Sequence, residues 1–445
     1  MTNKTWSDEW KRTNPDLVVY LPELEGGFDS VNQHFLVTKT PGSAWLAIWT
    51  QGADEGEVNQ SVVSSRSTDR GKTWSEPIVV DGPAKAIDKN VRAKDQKGEW
   101  KAVDASLEED ERHAGIAQWG FPIVVPALER IYCFYTRNEG LAEFRYDVCG
   151  ILCGKWSDDD GITWSEEVVD LPIRRTILDH PDERFPIWWI IWQTPYVTSR
   201  GEVIAPFSRG GAKASPFPGA LDSCFLRFDN ILTETDPREL TTTTLPDGER
   251  GLRIPNFFEG NTRSFALEPS IVELSDGRFY CVMTTTAGHL SFSISADRGH
   301  TWSVPAPLYR DNENELMLNP QVPAPLYQLK DGRCILLYYN NRGDIHGGHF
   351  PCGGACFRSN RYPAYISVGH EDPTNPFAPI RFSPPKFFAT SEGHSIGVGG
   401  RTEVATYPSL LEDGDDRILF YPDRKHFLLG KHITDEWLND CEQGK

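Results

Sequence analysis

The sequence predicts an all-β fold, a six-bladed β-propeller built from four-stranded antiparallel blades. The first observation is a pattern, S-x-D-x-G-x-T-W, which occurs at residues 67–74, 157–164 and 295–302. Each copy lies between two short β-rich runs. In such a turn the Asp accepts hydrogen bonds from backbone amides, the Gly supplies a positive φ, and the Trp packs beneath. Recurrence of one turn pattern along a chain is typical of a repeat architecture.

The second observation is a longer phrase that recurs six times: a Pro, an alternating apolar run, an Asp-Gly turn and an apolar aromatic run. Residues 274–278 and 329–333 carry near copies of that turn, LSDGR and LKDGR. Asp-Gly between apolar strands is a strong hairpin signal. Six phrases predict six blades, and their inner strands are expected to start near residues 33, 120, 193, 268, 323 and 407.

The size of the chain fits a closed ring of blades. Its 445 residues are 39% hydrophobic and include fourteen Trp, which is enough for sheets packed on one another. We therefore predict a single propeller domain over residues 1–445. Residues 1–30 are expected to be a lead-in segment. The charged residues 83–113 are expected to be a long loop between blades, near the entrance of the site.

Charge and cysteine content limit the possible partners and the compartment. A formal net charge of −19 argues against binding to nucleic acid or to an anionic membrane. No apolar run reaches the length of a membrane span, and residues 1–7 lack the apolar core of a signal peptide. Nine Cys is an odd number, which favours free thiols and a cytoplasmic location. The sequence indicates no oligomeric state.

In a propeller, the residues that start the inner strands converge on the central axis. Here those positions hold a carboxylate, a phenol and an imidazole, which together can perform acid–base chemistry. The residues are Gln33, His34, Trp119, Gly120, Trp192, Gln193, Glu268, Gln321 and Tyr407.

The three S-x-D-x-G-x-T-W turns resemble the Asp-box, or BNR, repeat of the sialidase superfamily. The resemblance implies that the boxes are structural turns at the rim, remote from the active site. That family uses a Tyr nucleophile activated by a Glu, with an Asp as acid/base. The resemblance assigns these roles to Tyr407, Glu268 and Asp54, and it makes Arg361 one arginine of the family's carboxylate-binding triad.

The other two triad positions depart from the family pattern. Gln33-His34-Phe35 stands where the family has Arg-Ile-Pro, and residues 286–288 contain no arginine. Other cations near strand ends are therefore candidates to bind an acidic sugar. The candidate binding residues, including polar and aromatic ones, are Arg137, Arg209, Arg401, Gln193, His113 and Trp192, with Arg184 as a further cation and His34 as a catalytic candidate.

These features predict an exo-acting glycoside hydrolase that cleaves a terminal bond of an acidic oligosaccharide, with no required cofactor. Two alternatives remain. The changed cations also resemble propeller enzymes that act at uronic acid ends, so the protein could be a polysaccharide lyase. In a lyase, Arg137 would neutralise the uronate, and His34, His113 or Tyr407 would take the proton. A glycan-binding propeller without catalysis is the second alternative.

A metal site is predicted in a glycine-rich loop of blade five. His346, His349, Cys352 and Cys356 have the spacing H-x2-H-x2-C-x3-C. Four such ligands suit a structural zinc ion, although a glycine-rich loop can also fold without metal. Protein purified without chelator should then contain about one zinc per chain by metal analysis. Protein free of metal would contradict the prediction.

Overall fold

The computed structural model describes residues 6–23, 27–82, 114–143, 145–255, 264–311, 315–348, 360–397 and 399–444. This part of the chain forms six small antiparallel sheets arranged as a six-bladed β-propeller, as predicted. Four sheets have four strands, and those of blades three and five have five because one strand is split.

The strands follow the chain blade by blade. Blade one contains β2 (Val31–Lys39), β3 (Trp45–Gly52), β4 (Ser61–Ser67) and β5 (Ile78–Asp81). Blade two contains β6 (Ala117–Val125), β7 (Arg130–Arg137), β8 (Ile151–Ser157) and β9 (Val169–Leu171). Blade three contains β10 (Trp188–Ile191), β11 (Tyr196–Val197), β12 (Val203–Gly210), β13 (Leu221–Phe228) and β14 (Thr242–Leu245).

The second half of the ring continues in the same order. Blade four contains β15 (Leu267–Glu273), β16 (Phe279–Thr284), β17 (Ser291–Ser295) and β18 (Ala306–Pro307). Blade five contains β19 (Leu326–Gln328), β20 (Cys334–Tyr338), β21 (Ala364–Glu371), β22 (Ile380–Phe382) and β23 (Lys386–Ala389). Blade six contains β24 (Ser409–Asp413), β25 (Asp416–Asp423) and β26 (Phe427–His432), and the helix α1 (Asp435–Glu442) follows it.

The start of the chain closes the ring. Residues 1–30 were expected to be a lead-in, but β1 (Leu17–Tyr20) is the outer strand of blade six and pairs with β26. A 3-10 helix at Trp6–Thr13 precedes it, and the Tyr421 hydroxyl donates to Thr13 Oγ1 at 2.9 Å. The run of four apolar-rich residues is too short to stand out in the sequence. Its partner is the unpaired edge of the last blade, which needs an outer strand.

The blades pack face to face because alternate residues of a strand point to opposite sides of its sheet. In β3, Trp45 and Trp49 pack toward blade six against Phe420. Leu46 and Ile48, between them, pack toward blade two. β3 is therefore apolar on both faces, and apolar layers fill the space between neighbouring blades.

The three Asp boxes form equivalent turns, as predicted. In the first box, Asp69 accepts hydrogen bonds from Ser67 Oγ, from the Thr73 amide at 2.9 Å and from the Thr73 hydroxyl at 2.6 Å. Asp159 and Asp297 accept the corresponding bonds in the other two boxes. The Gly of each box has a positive φ, between 79° and 92°.

Each box Trp packs on the preceding blade. The Trp74 ring meets Phe420 of blade six at a centroid distance of 6.2 Å, and Trp302 stacks on Phe225 of blade three at 4.5 Å. Trp164 donates to Ser64 Oγ of blade one at 2.9 Å. The boxes therefore tie neighbouring blades together at the rim.

The boxes lie at the end of the propeller opposite to the start of the inner strands. Arg70, in the first box, donates to the backbone oxygen of Asp413 at 2.6 Å. Asp413 is the last residue of β24. Tyr407 precedes that strand and lies roughly 20 Å away, since a strand rises about 3.3 Å per residue.

Several sequence-based expectations concern other parts of the chain. The loop predicted at residues 83–113 lies outside the described residues. Seven Cys are described, and all are buried and free of disulfides. None of the described helices has the length and apolar character needed to cross a membrane.

Replacing a box Asp should destabilise the propeller without affecting the site. Asp297→Ala removes the acceptor for Ser295 and Thr301, and we expect it to lower the melting temperature by a few degrees. The matched control is Asp276→Ala, in an ordinary hairpin turn where the Asp accepts from Arg278. Equal decreases in melting temperature for the two variants would contradict the role of the box in tying neighbouring blades together.

Candidate active site

A cavity of about 380 Å³ opens at the axis, on the face opposite to the Asp boxes. Its walls come from the starts of inner strands and from the turns that follow second strands. The lining residues are Glu55, Trp119, Arg145, Val148, Trp188, Ile190, Leu221, Leu267, Glu268, Gln321, Arg361, Arg401, Glu403, Tyr407 and Lys425.

Backbone strain positions four side chains at this end of the axis. His34, Trp119, Glu268 and Tyr407 have φ values of 57°, 56°, 52° and 64°. These are left-handed conformations, which non-Gly residues rarely adopt. The register of the inner strand shifts at the first three of these positions, as expected of β-bulges, which re-aim a side chain. Four equivalent strained residues around one axis are typical of a functional site.

The central contact of the cavity is a hydrogen bond between Tyr407 and Glu268. The phenol donates to Glu268 Oε1 at 2.6 Å, and both residues are buried. Burial raises the pKa of the Glu268 carboxyl above its usual value, while Tyr407, Arg361 and Lys425 act in the opposite direction. Burial, together with the nearby Glu268 charge, also raises the pKa of Tyr407 well above its usual value. The hydrogen bond places the phenolic proton directly beside a carboxyl oxygen that can accept it.

Lys425 brings a cation to this pair from the turn between β25 and β26. Arg424 and Lys425 both have positive φ, in a turn where Asn-Gly is the usual choice. The ammonium donates to Gln33 Oε1 at 2.8 Å and to Glu55 Oε2 at 3.0 Å. It lies 5.2 Å from the centre of the Tyr407 ring. Burial lowers the pKa of Lys425 to about 8, despite the opposing effect of Glu55.

Arg401 joins several carboxylates at one edge of the cavity. It donates to Glu403 Oε1 at 2.9 Å, to Asp54 Oδ1 at 3.0 Å and to Glu55 Oε2 at 3.2 Å. Burial opposes ionisation of Glu55, but Lys425, Arg401 and Arg145 hold its pKa well below the usual value. Glu55 is therefore an anion under ordinary conditions and is poorly suited to donate a proton.

Two further arginines, Arg361 and Arg145, complete the charged side of the cavity that Lys425, Arg401, Glu55 and Glu403 form. Arg361 donates to the backbone oxygen of Gln321 at 3.1 Å, and its charge favours the ionised forms of Glu268 and Tyr407. Arg145 pairs with the buried Asp147 and lies 3.7 Å from Glu55 Oε1. Its side chain is 51% exposed, so it marks the mouth of the cavity.

The structure brings several predicted site residues together. Tyr407, Glu268, Arg361 and Arg401 all line the cavity. Asp54 lies next to the cavity, where it bonds to the lining residue Arg401, and its side chain is 28% exposed.

His34 and Trp192 lie beneath the cavity and are fully buried. Their rings are 6.3 Å and 6.0 Å from the ring of Tyr407. Burial lowers the pKa of His34 to about 3, so its imidazole is neutral. Both residues support the Tyr407 ring and have no surface for a substrate.

Other predicted binding residues do not line this cavity. Arg137 lies near Asp81 and Asp170 of outer strands and pairs with Glu139. Arg209 is buried and bonds to Asp179 and to the Arg174 backbone oxygen. In both cases nearby carboxylates determine where the guanidinium lies.

Two more predicted binding residues lie away from the cavity, and a third is not described. Gln193 lines a separate cavity of about 310 Å³, together with inner-strand residues such as Tyr196 and Leu326. Arg184 is paired with Asp182. His113 lies outside the described residues.

The zinc prediction stays a prediction. His346 stacks on Tyr362 with ring centroids 4.1 Å apart, and its Nε2 is 3.1 Å from the Tyr362 backbone oxygen. His349, Cys352 and Cys356 lie outside the described residues. Within the described ranges, no group of three or more His, Cys, Asp or Glu side chains is placed to hold a metal ion.

Sequence reasoning missed much of the charged side of the cavity: Glu55, Arg145, Glu403 and Lys425. The recurring phrase marks where inner strands start, and these residues lie in other segments around them. Lys425 had a recognisable signal, because it follows the second strand of blade six just as Asp54 follows that of blade one. Trp119 was identified as an axial position, and it does line the cavity.

Solved structures with the same fold include sialidases. The Hadza microbial sialidase Hz136 is 13% identical over 92% of this chain, with a TM-score of 0.57, and this chain covers 66% of it, just under two thirds of its length. The intramolecular trans-sialidase from Ruminococcus gnavus is 14% identical, with a TM-score of 0.54. The match covers 96% of this chain and 98% of the trans-sialidase chain. A protein of unknown function from Dyadobacter fermentans is 15% identical, with a TM-score of 0.53. The match covers 94% of this chain and 97% of the Dyadobacter chain. At such identities the similarity shows the fold alone.

The curated proteins contain no match to this chain. The family model described as "BNR repeat-like domain" matches residues 43–416, most of the chain. That range contains all three Asp boxes together with Glu268 and Tyr407. The chain belongs to the BNR repeat-like domain family.

Proposed function

We propose that the protein is an exo-acting glycoside hydrolase that cleaves a terminal bond of an acidic glycan. The observation that carries the proposal is the buried hydrogen bond of 2.6 Å from Tyr407 to Glu268 on the cavity wall. A phenol next to a carboxylate base is an activated nucleophile, and a neutral nucleophile can approach an anionic sugar without charge repulsion.

The proposed reaction is a double displacement. Tyr407 Oη attacks the anomeric carbon while Glu268 takes the phenolic proton. The glycosidic bond breaks, and the leaving oxygen takes a proton from Asp54. Water then attacks the glycosyl-tyrosine, with Asp54 as base, and Glu268 returns its proton to Tyr407. Asp54 takes the acid/base role in this scheme because its side chain is 28% exposed and bonds to one cation, Arg401, whereas Glu55 lies against three.

The acidic substrate is inferred from the charges of the cavity. Four cations line it, Arg145, Arg361, Arg401 and Lys425, against three carboxylates, Glu55, Glu268 and Glu403. Asp54 and Asp147, just outside the lining, bond to Arg401 and Arg145, which leaves Arg361 and Lys425 as the cations that act on the reactive pair. A substrate carboxylate would find its partners in Arg361 and Lys425, which flank the Tyr407–Glu268 pair. No cofactor is required by this scheme.

A polysaccharide lyase acting on a terminal uronate is the second candidate, and Lys425 favours it. A lysine with a pKa of about 8 can take a proton near neutral pH. In β-elimination the base removes the C5 proton, the leaving group departs from C4, and a C4–C5 double bond forms. The product then absorbs ultraviolet light, whereas a hydrolysis product does not. A screen of acidic oligosaccharides by mass spectrometry and absorbance distinguishes the two reactions, and binding without turnover indicates a glycan-binding module.

Removing the phenolic oxygen should abolish hydrolysis. Tyr407→Phe retains ring packing but removes the nucleophile, so we expect kcat to fall by roughly a hundredfold or more. The kcat of Glu268→Gln should fall by a comparable factor, because the base is lost. The measurement is the initial rate on the acidic oligosaccharide found in the screen, with thermal unfolding as a control for folding. Near wild-type turnover by Tyr407→Phe would refute the mechanism.

Activity should depend on pH through two groups of the cavity. Glu268 must be ionised, so kcat/KM should rise as pH increases through its raised pKa. Lys425 must be charged to hold a carboxylate, so kcat/KM should fall as pH increases through about 8. Lys425→Arg keeps the charge at all these pH values and should remove the alkaline fall. An alkaline fall that persists in Lys425→Arg, or that is equal for a neutral substrate, would exclude this role.

A further inference from the structure

A second cavity lies directly beside the axial one. It also measures about 380 Å³, and the two share Trp188 and Leu221 on their walls. Both volumes fall within the range of about 300–1,000 Å³ that is usual for small-ligand sites. The two cavities therefore form one cleft in two compartments, with Trp188 at the junction.

The second compartment exists because blade three departs from the other blades. Its inner strand is split into β10 and β11, and both pieces pair with β12. Trp188, at the start of β10, is opposite Gly210, and a Cβ on Gly210 would lie 1.2 Å from Trp188 Cε3. The indole therefore lies flat on the glycine. Glu143 holds the next loop in place by accepting from the amides of Lys213 and Ala214 at 2.8 and 2.9 Å.

The buried carboxylate of Asp179 forms part of the wall of this compartment. Asp179 Oδ2 accepts from the Thr176 amide at 2.6 Å and from buried Arg209. Asp179 Oδ1 is buried and has no hydrogen-bond partner in the described part of the chain. Because this oxygen has no accessible surface, Asp179 shapes the wall and anchors Arg209, and it offers no acceptor to a ligand.

His180 offers a donor in the same wall. The Asp182 amide donates to His180 Nδ1 at 2.9 Å, so the ring proton of the neutral form is on Nε2. That nitrogen is 3.7 Å from Glu143 Oε1. The imidazole also packs against Phe185, with ring centroids 4.1 Å apart. Aromatic rings beside fixed donors and acceptors suit a sugar, which has an apolar C–H face and a rim of hydroxyls.

We propose that this second compartment is a binding site for a neutral sugar ring, the one next to the terminal acidic sugar. The inference rests on the proposed function, which places the terminal sugar in the axial cavity. An exo-acting enzyme cleaves the bond to the next ring, so that ring must lie beside the axial cavity. Glu143 and His180 would bond to its hydroxyls, and Phe185 and Trp188 would contact its C–H face. The charges of the wall balance, since Lys213 and the Arg209 bonded to Asp179 offset the two carboxylates, so the compartment has no excess of cations to hold a second acidic sugar.

The test compares two substrates that share the terminal sugar. One is the acidic disaccharide found in the screen, and the other is the glycosyl fluoride of the same acidic sugar, whose leaving group has no ring. Phe185 lines the second compartment and is absent from the axial one. Phe185→Ala should lower kcat/KM for the disaccharide roughly tenfold and change it much less for the glycosyl fluoride.

Two more variants control for folding. Phe185→Tyr keeps the ring and should retain activity on the disaccharide, whereas Ala212→Trp fills the same compartment and should act like Phe185→Ala. Thermal unfolding checks that each variant is folded. Equal losses on both substrates, or none on the disaccharide, would overturn the sugar site.

Direct binding separates this inference from the proposed function. Tyr407→Phe protein is titrated with neutral methyl hexopyranosides at millimolar concentration and followed by saturation-transfer NMR. Signals that Phe185→Ala removes, in the Tyr407→Phe background, support the site even if the hydrolase mechanism fails. Binding of no neutral sugar, combined with loss of turnover in Tyr407→Phe, would leave the proposed function standing and refute the second compartment.

Discussion

The hydrogen bond between Tyr407 and Glu268 depends on backbone strain that the whole ring must hold. Both residues have positive φ, at a cost of roughly 1–2 kcal/mol each for a residue with a Cβ. Neighbouring blades fix these conformations. The Tyr407 carbonyl accepts from the Phe35 amide of blade one at 3.3 Å, and the Glu268 amide donates to Ser208 Oγ of blade three at 2.8 Å. Closing the ring therefore holds the two side chains in contact.

Burying this many charges together requires that each be compensated. Glu55 illustrates the arrangement, since it bonds to Lys425 and Arg401 and lies near Arg145. Removing one partner of such a network leaves an unpaired buried charge, which is strongly destabilising. The network thus keeps cations in the cavity while the rest of the surface is acidic. Glu403 binds Arg401, which leaves Arg361 and Lys425 nearest to the reactive pair.

The fold could be predicted from the sequence because its signals are local. A box such as residues 295–302 encodes its own turn through one Asp, one Gly and one Trp, and the Asp-Gly hairpins do the same. Tyr407 and Glu268 followed from their place at the start of inner strands. The closing strand Leu17–Tyr20 could not be predicted, because its partner β26 lies at the other end of the chain.

Cations were the least predictable part of the site. Arg137 and Arg209 lie within the ends of the second strands β7 and β12, whereas Lys425 lies in the turn after β25, and of the three only Lys425 lines the axial cavity. The difference lies in tertiary neighbours. Asp81 and Asp170 attract Arg137, and Asp179 holds Arg209, while Lys425 finds Glu55 and Gln33. The spacing of residues along the chain contains no information about such long-range partners.

The shape of the cleft follows from how each blade begins its inner strand. Blades one, two and four bulge at the axis, and each turns one side chain inward. Blade five instead starts its inner strand late, at Leu326, and Arg361 reaches the cavity from the segment before β21. Blade three breaks its inner strand between β10 and β11, and Trp188 and Gly210 then border a second compartment. The rim, with its repeated boxes, is nearly uniform in the three blades that carry them. Specificity must therefore reside in these irregular strand starts, where the propeller departs from its own repeat.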